Sequence, residues 1–454
     1  MNSRHNKKTM KKEETRKSLE INTSPITHKW LVVLVSLSLA FVYLLQASSP
    51  LRLNTDSLTF LSIGASVADG HGFLFHGQPT HFPLGYPAMV AILDRIGLAS
   101  SCSFIILNCI FLGITLLSSY LLYRNPLGFK ASTSVGLCCF VMLSFVLVKH
   151  MTLPLSDVPF MGIFTPALLF LVRSRDEAGQ IKWVFMVSAI LLTALAITVR
   201  TVGVALLPAF VWWVGQSILS NLNKMRKNRP LLLQTCLIGI CVSGLLCALF
   251  ISKTKYFQEM KDQYFQMGLA NRLANNLYVH TTDFGELGIN LPSSKVPLEL
   301  KPAFTVVGML AIALAIRGVW LRRRSLSVLE IGLMTYGGII FIWPYQDARF
   351  WLPVIPIIVG YIALAMIDIS SQRYIRLFGI AACAWFVVAG IIALIYSTRI
   401  SLAGNRFPDL YGDGSLTPSY RAAFFGQTNS VVNDEAIFLL KRYDSRTKRA
   451  TVRE

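Results

Sequence analysis

The chain has 454 residues, of which 54% are hydrophobic and only 15% are charged, and its formal net charge at pH 7 is +20. A soluble domain of this size needs more charge to cover its surface. Apolar runs of about 20 residues, each long enough to cross a bilayer as a helix, recur along the chain. The positive charge does not indicate a nucleic-acid partner, because it lies in loops that flank the apolar runs and set membrane orientation. Composition therefore predicts an all-α polytopic membrane protein surrounded by lipid.

Eleven apolar segments are predicted to span the membrane. These predicted spans are 30–47, 103–123, 131–148, 154–172, 183–199, 201–218, 231–252, 303–320, 326–343, 351–369 and 376–396. The first follows a polar arm and has no small-residue cleavage pattern, so we interpret it as a retained span and not as a signal peptide. Residues 183–215 would reach about 50 Å as one helix, too long for one crossing, so a tight hairpin is predicted at 200–203.

Basic residues fall on one side of this topology. They are Lys7, Lys8, Lys11, Lys12, Arg16, Lys17, Arg124, Lys130, Arg173, Arg175, Lys182, Lys224, Arg226, Lys227, Arg229, Arg322, Arg323, Arg324, Arg373 and Arg376. By the positive-inside rule this side is cytoplasmic, in a cell membrane, with the N-terminus inside and the C-terminus outside. Residues 1–29 form a basic arm that is predicted to be disordered. The outer side holds residues 48–102, 149–153, 253–302, 344–350 and the C-terminal tail 397–454.

The first outer loop has the pattern of two short helices that lie on the membrane. Every third or fourth residue from 58 to 68 is apolar, which predicts an amphipathic helix that begins near Asp56 and ends at Gly70. Residues 84–98 are too short to span a membrane and are predicted to form an interfacial helix. Such a cap would hold Asp56 at the mouth of the bundle.

Three motifs follow one another on the outer side. They are Asp56 with an Ala-x-x-x-x-Gly-x-Gly-Phe stretch at 65–73 and Pro-x-Gly-Tyr-Pro at 83–87, then Leu-Ser-Asp157-Val-Pro-Phe at 155–160, then Asp-Ala-Arg349-Phe-Trp-Leu-Pro-Val-Ile-Pro at 347–356. In order and side they resemble the GT-C class of integral membrane glycosyltransferases, closest to the bacterial relatives of protein O-mannosyltransferases and the lipid A aminoarabinose transferase. The resemblance covers roughly residues 30–370. It implies a transmembrane catalytic domain at 30–396.

The resemblance implies an enzyme that moves a sugar from a polyprenyl-phosphate carrier to an acceptor on the outer face, with inversion at the anomeric carbon. The acceptor, a lipid, an envelope polysaccharide or a protein, must lose a hydroxyl proton, and a positioned base contributes ~10²–10⁴-fold to such a step. The leaving phosphate needs positive charge or a metal to stabilise it. The family often carries an Asp-Glu pair where this chain has Asp56 and Ser57, so the resemblance leaves a divalent metal open and implies no other cofactor.

Asp56 and Asp157 are the predicted catalytic acids. A carboxylate at a membrane edge is costly unless it binds or reacts, and we expect Asp56 to be the base. Each has a structural alternative. Asp56 can cap the helix that it begins, by accepting from the amides at 58 and 59, and Asp157 can cap the fourth span ahead of Pro159.

Four basic side chains are candidates for binding the donor phosphate. Arg349 is the first, because a guanidinium makes paired hydrogen bonds to phosphate and keeps its charge; its alternative is a salt bridge to Asp347. Arg200 is either a snorkelling side chain or a second phosphate contact. Lys149 and His150 either anchor the third span at the interface or receive the phosphate.

Tyr86 and Tyr345 are candidates for sugar stacking, although an aromatic belt at the membrane interface explains them too, together with Trp343 and Trp351. The loop 253–302 has mixed charges and no motif of its own. In the tail, a short helix is predicted at 431–442.

Two other functional classes compete with an enzyme. A transporter or flippase usually has internal repeats and ionisable residues near mid-membrane, whereas this sequence shows no repeat and places its acids at span ends. The other class is a non-catalytic scaffold for envelope assembly.

Overall fold

The computed structural model describes residues 25–175, 180–222, 255–343, 345–427, 431–444 and 446. Of these residues, 79% are helical. The α-helices are α1 (Pro25–Leu45), α2 (Thr55–Ala68), α3 (Gly85–Arg95), α4 (Ser101–Arg124), α5 (Ala131–Met142), α6 (Phe145–His150), α7 (Asp157–Arg173), α8 (Trp183–Val199), α9 (Leu206–Leu222), α10 (Lys255–Met267), α11 (Leu269–Ile289), α12 (Lys301–Leu321), α13 (Val328–Ile342), α14 (Ile355–Ile369), α15 (Arg373–Leu402), α16 (Thr417–Phe425) and α17 (Asp434–Tyr443).

Short elements fill the connections. Strands β1 (Leu74–Phe75) and β2 (Gln78–Pro79) pair antiparallel in the first outer loop. The 3₁₀ helices are Gln46–Ser48, Thr201–Ala205, Ser293–Lys295, Leu298–Leu300, Arg323–Ser325, Ala348–Val354, Gly404–Arg406 and Pro408–Leu410. The two helices predicted in the first outer loop are α2 and α3, and the helix predicted in the tail is α17.

Helices occupy ten of the eleven predicted spans, and the eleventh, 231–252, lies outside the described residues. Four helical segments of the described chain are long and apolar enough to cross a membrane: Ser101–Arg124, Leu298–Leu321, Ala348–Ile369 and Arg373–Leu402. The all-α membrane class is therefore confirmed, while the number of eleven crossings stays a prediction.

Helix α7 forms the centre of the bundle. Every residue from 157 to 169 is buried, and α4, α8 and the 3₁₀ helix at 348–354 pack around it. A helix that is buried on all sides needs apolar residues all round, which the sequence of α7 supplies. Gly162 allows α4 to come close, because a Cβ there would lie 2.6 Å from the ring of Phe111. The first residue of this central helix is Asp157.

The predicted hairpin at 200–203 is present as a turn. Helix α8 ends at Val199, Arg200 is extended, and a 3₁₀ helix follows. Gly203 lies against the backbone of Ala196, only 2.6 Å from where its Cβ would stand. In a continuous helix these residues would be about 10 Å apart along the axis, so the chain does turn back here.

Several loops that the alternation of charge assigns to the same side contact one another. On the predicted outer side Arg349 pairs with Asp56 and Arg200 with Asp157. On the predicted inner side, Arg322 Nε donates to the buried Glu330 at 2.6 Å, in a turn that also contacts the 124–130 connection. Which side faces the cytoplasm stays a prediction.

The predicted span 131–148 is broken, which corrects the single helix expected there. Helix α5 ends at Met142 and α6 begins at Phe145. Asn290, in the left-handed conformation at the end of α11, fills the break: its Nδ2 donates to the Leu143 carbonyl at 2.9 Å and its Oδ1 accepts from the Phe145 amide at 2.7 Å. A second bond runs from Nδ2 to Phe386 on α15 at 2.9 Å. A break at membrane depth is tolerated because these backbone groups are satisfied.

We expect Asn290→Gly to lower the apparent unfolding temperature of the detergent-solubilised protein. Glycine keeps the left-handed backbone but leaves buried backbone groups unpaired, at a cost of about 1–3 kcal/mol each. The matched control is Asn271→Ala on the exposed side of α11, which should unfold like the parent chain. Equal unfolding temperatures for the parent and the Asn290 variant would contradict this account.

The predicted orientation can be tested by labelling with a membrane-impermeant thiol reagent in intact cells. In a chain without native cysteines, His76→Cys and Val431→Cys should react, since both positions are exposed and lie in predicted outer segments. Ser325→Cys, exposed in a predicted inner turn, should react only after lysis. The reverse pattern would invert the topology.

Candidate active site

Asp56 lies in the first turn of α2, and a neighbouring residue caps that helix. Asn54 Oδ1 accepts from the Ser57 amide at 2.9 Å, and Ser57 Oγ accepts from the Asn54 amide at 2.7 Å. The capping interpretation of Asp56 is therefore wrong. Its carboxylate remains available for other partners, and its side chain is 43% exposed.

Arg349 is the partner of Asp56. Its Nη2 donates to Asp56 Oδ2 at 2.5 Å, and its Nε lies 3.2 Å from Asp347 Oδ2. Asp347 also caps the 3₁₀ helix at 348–354 by accepting from the Arg349 amide at 2.9 Å. The salt bridge to Asp347 that the sequence left open as an alternative is thus present together with a contact to Asp56. Since the Arg349 side chain is only 12% exposed, both acids compensate a nearly buried charge.

Asp157 and Arg200 form a second ion pair. Arg200 Nη1 donates to Asp157 Oδ1, and the Asp157 side chain is 2% exposed. The carboxylate thus holds an arginine from the turn after α8. A buried pair of this kind is costly to break, because removing one partner leaves the other charged and unsatisfied.

Phe350 brings the two ion pairs together. The guanidinium carbon of Arg349 lies 5.3 Å from the centroid of the Phe350 ring, and that of Arg200 lies 5.6 Å from it. Cation–π attraction favours both positions. Arg200 and Arg349, each paired with an aspartate from a distant part of the sequence, therefore lie beside one ring.

Lys149 and His150 differ in what they can offer an anion. Lys149 is exposed, whereas His150 is buried and its Nδ1 donates to the Val146 carbonyl at 2.6 Å. Burial lowers the pKa of the His150 imidazole, and nearby Asp157 offsets this only in part. His150 is therefore uncharged at neutral pH, and Lys149 is the better phosphate ligand of the two.

The aromatic candidates do not share one environment. Tyr86 is buried, with its ring edge-on to Phe60 at 5.6 Å, and Trp351 is buried too, so the interpretation of both as interface aromatics is wrong. A sugar cannot stack on the buried ring of Tyr86. Tyr345 is exposed, and its hydroxyl donates to Glu259 of α10; burial of the hydroxyl and this contact raise the pKa of Tyr345 to about 12.

Helix α11 supplies residues that the sequence did not single out. Asn276 Nδ2 donates to the Phe341 carbonyl at 2.9 Å, and Trp351 Nε1 lies 3.4 Å from His280 Nδ1. These contacts hold the chain before and after Arg349, at Phe341 and at Trp351. The signal in the sequence was the spacing of four residues between Asn276 and His280, which puts both on one helix face.

Asp283 of α11 is a further acid near the segment that carries Arg349. Its Oδ2 lies 3.1 Å from His280 Nδ1. Burial raises the pKa of the Asp283 carboxyl, and the contact with His280 lowers it in part. In the described residues no group of three or more His, Cys, Asp or Glu side chains is arranged to hold a metal ion. The carboxylates nearest the site are instead paired with arginines.

No family model matches the sequence, and no curated protein does either. Among solved structures the chain is similar to ArnT, the lipid A aminoarabinose transferase, from Cupriavidus metallidurans bound to undecaprenyl phosphate. The TM-score is 0.50 at 13% identity over 95% of this chain and 89% of that one. It is also similar to the oligosaccharyltransferase AglB from Archaeoglobus fulgidus in complex with an inhibitory peptide and a dolichol-phosphate. Here the TM-score is 0.50 at 14% identity over 92% of this chain and 60% of that one. Both are GT-C glycosyltransferases, so the chain has the GT-C fold, as its motifs indicated.

Proposed function

We propose that this chain is an integral membrane glycosyltransferase that moves a sugar from a polyprenyl-phosphate donor to an acceptor hydroxyl at the outer face, with inversion. The observation that carries this proposal is the pairing of Asp56 with Arg349 at the end of the bundle. It puts an exposed carboxylate beside a cation that suits a phosphate. The fold supports the donor class, because ArnT was solved with undecaprenyl phosphate and AglB with a dolichol-phosphate.

In the proposed reaction the acceptor hydroxyl gives its proton to Asp56. Its oxygen then forms a bond to the anomeric carbon while the bond from that carbon to the phosphate oxygen breaks. The phosphate leaves on its lipid carrier with one more negative charge, which Arg349 and Lys149 stabilise. A base and a phosphate ligand that are 2.5 Å apart suit a reaction whose acceptor and leaving group meet at one carbon.

The second ion pair has a supporting role in this proposal. Asp157 is too deeply buried to meet an acceptor, so we assign it to holding Arg200 near Phe350. Arg200 then provides a second positive charge toward the phosphate. Tyr345 is the one of the two predicted sugar-binding aromatics whose ring is accessible.

A transporter or flippase remains the main competitor, and the broken α5–α6 helix is a feature that transporters use. In this chain the break is filled by Asn290, whose amide satisfies the freed backbone groups. The paired acids lie at the end of the bundle, where a surface reaction needs them. An enzyme is therefore the better account of the site.

We expect Asp56→Asn to abolish the glycan product in cells. Asparagine can still accept a hydrogen bond from Arg349 but cannot take a proton, so transfer should fall by ~10²–10⁴-fold while the protein accumulates normally. Mass spectrometry of envelope glycans measures the product against cells that lack the chain.

The matched control is Asp368→Asn, which alters an aspartate that pairs with Arg317 at 2.5 Å, away from the site. It should leave the product unchanged. Full product from Asp56→Asn would exclude Asp56 as the base, and a transporter or scaffold would then be the better reading.

Arg349→Gln should weaken binding of undecaprenyl phosphate to the purified protein. Loss of a charged hydrogen bond costs about 1.5–3 kcal/mol, which corresponds to about 10–100-fold in affinity. Native mass spectrometry in detergent measures the bound fraction, with Arg317→Gln as the control arginine. Unchanged affinity in the Arg349 variant would remove that residue from the donor site.

A further inference from the structure

The C-terminal tail packs on the first outer loop, and the proposed reaction gives it no role. Helices α16 and α17 pack on each other, and α17 also packs on α2, the helix that carries Asp56. The ion pair of His76 with Glu435 at 2.8 Å joins the tail to the turn between β1 and β2. Three further groups of contacts join the tail to the chain around α2. They lie before α2, at its first turn, and at its last turn.

The contacts before α2 hold the chain at Leu51. The Leu51 amide donates to Asp444 Oδ2 at 2.9 Å, and the hydroxyl of Tyr420 donates to the Leu51 carbonyl at 2.6 Å. All three residues are buried. A main-chain residue held through both its N–H and its C=O has little freedom to shift.

The contacts at the first turn reach almost to Asp56. The Leu53 amide donates to the Tyr411 carbonyl at 3.1 Å, and the Asp413 amide donates to the Leu53 carbonyl at 3.2 Å. Thr55, which directly precedes Asp56, donates its hydroxyl to Asp413 Oδ2 at 3.2 Å. The tail thus forms a parallel bridge beside the start of the helix that carries the proposed base.

Arg442 holds the last turns of both outer helices. Its Nη1 and Nη2 donate to the two oxygens of Asp69, the C-cap of α2, at 2.8 and 2.7 Å. Its Nε donates to Asp94 in the last turn of α3 at 2.8 Å, and the Tyr443 hydroxyl donates to the same carboxylate oxygen at 2.7 Å. The hydrogen bonds from Arg442 lower the pKa of the Asp69 carboxyl, so this pair is charged at neutral pH.

We propose that these tail residues form a C-terminal brace, made of 411–413, Tyr420 and 442–444, which fixes both ends of α2 and so positions Asp56 against Arg349. Arg442 is the central positioning residue, because its planar guanidinium binds the C-terminal ends of α2 and α3 at once. The inference rests on the proposed function of Asp56. It goes beyond that function by assigning the tail a part in catalysis.

The physical reason is that α2 is short and the reaction is sensitive to position. A helix of 14 residues is marginal on its own and takes its stability from what it packs on. A misplacement of about 1 Å at a reacting group can cost ~10²-fold in rate. A brace at both ends of α2 therefore controls the rate without touching a substrate.

The test compares two arginine variants of the full-length protein. Arg442→Gln removes the ion pairs of the brace with Asp69 and Asp94 and leaves the contacts at Leu51, Leu53 and Thr55 in place. Arg421→Gln removes a two-bond ion pair to Asp409 that lies within the tail, at 2.8 and 2.7 Å, and is the matched control. Three readouts are taken: glycan product per protein in cells, undecaprenyl phosphate binding by native mass spectrometry, and hydrogen–deuterium exchange of peptides that cover 51–68.

We expect Arg442→Gln to lower the product at least about tenfold, toward the ~10²-fold cost of misplacement. Undecaprenyl phosphate binding should stay within about twofold, since Arg349 is intact, and exchange should rise in 51–68. Arg421→Gln should change none of these. A variant that had only lost stability would lose binding too and would exchange faster throughout.

Two results would overturn the brace. One is a normal product and normal exchange in Arg442→Gln; the other is an equal loss in both arginine variants. Asp56→Asn, measured in parallel, separates the two proposals. Full product from Asp56→Asn would exclude Asp56 as the base. Normal product from Arg442→Gln together with an inactive Asp56→Asn would exclude only the brace. If Arg442→Gln does not accumulate, Tyr443→Phe loses a single bond to Asp94 and should show the same pattern more weakly.

Discussion

The contact between Arg349 and Asp56 is the interaction on which the rest of the site depends. A nearly buried guanidinium at a membrane edge needs compensation, and here it comes from a carboxylate almost 300 residues away in sequence as well as from Asp347 on the same turn. Phe350 then joins this pair to the Arg200–Asp157 pair. The compensation of the Arg349 charge is therefore accompanied by the packing of four segments that are far apart in sequence, at Asp56, Asp157, Arg200 and 347–350.

The two members of this contact are held by different parts of the chain that have no part in the proposed reaction. Asn276 and His280 of α11 contact the chain on both sides of Arg349, and the C-terminal tail contacts the segment that leads to Asp56. These contacts use backbone groups and buried side chains, which allow little displacement. A reaction site at a membrane surface can be rigid without a separate soluble domain if long loops fold back in this way.

Much of this arrangement could be predicted from the sequence. The part that could not depends on contacts between residues that are far apart in the chain. Apolar length and loop charge are local signals, so the helices and the grouping of Asp56, Asp157 and Arg349 at one end followed from them. The break between α5 and α6 contains no glycine or proline that would have predicted it. Its free backbone groups are paired by Asn290, which is far away in sequence. The burial of Tyr86 and Trp351 likewise depends on how helices pack.

Burial also distinguishes the two acids, both of which the sequence offered as catalytic candidates, with Asp56 as the expected base. Both aspartates lie in the first turn of a helix and both bind an arginine, yet the Asp56 side chain is 43% exposed and the Asp157 side chain 2%. A general base must reach the hydroxyl that it deprotonates, and a buried carboxylate cannot. A carboxylate that is buried against a guanidinium can fix that cation in place, since separating them would strand both charges. In the proposed reaction an aspartate in the first turn of a helix thus acts as a base where water reaches it and as an anchor where water does not.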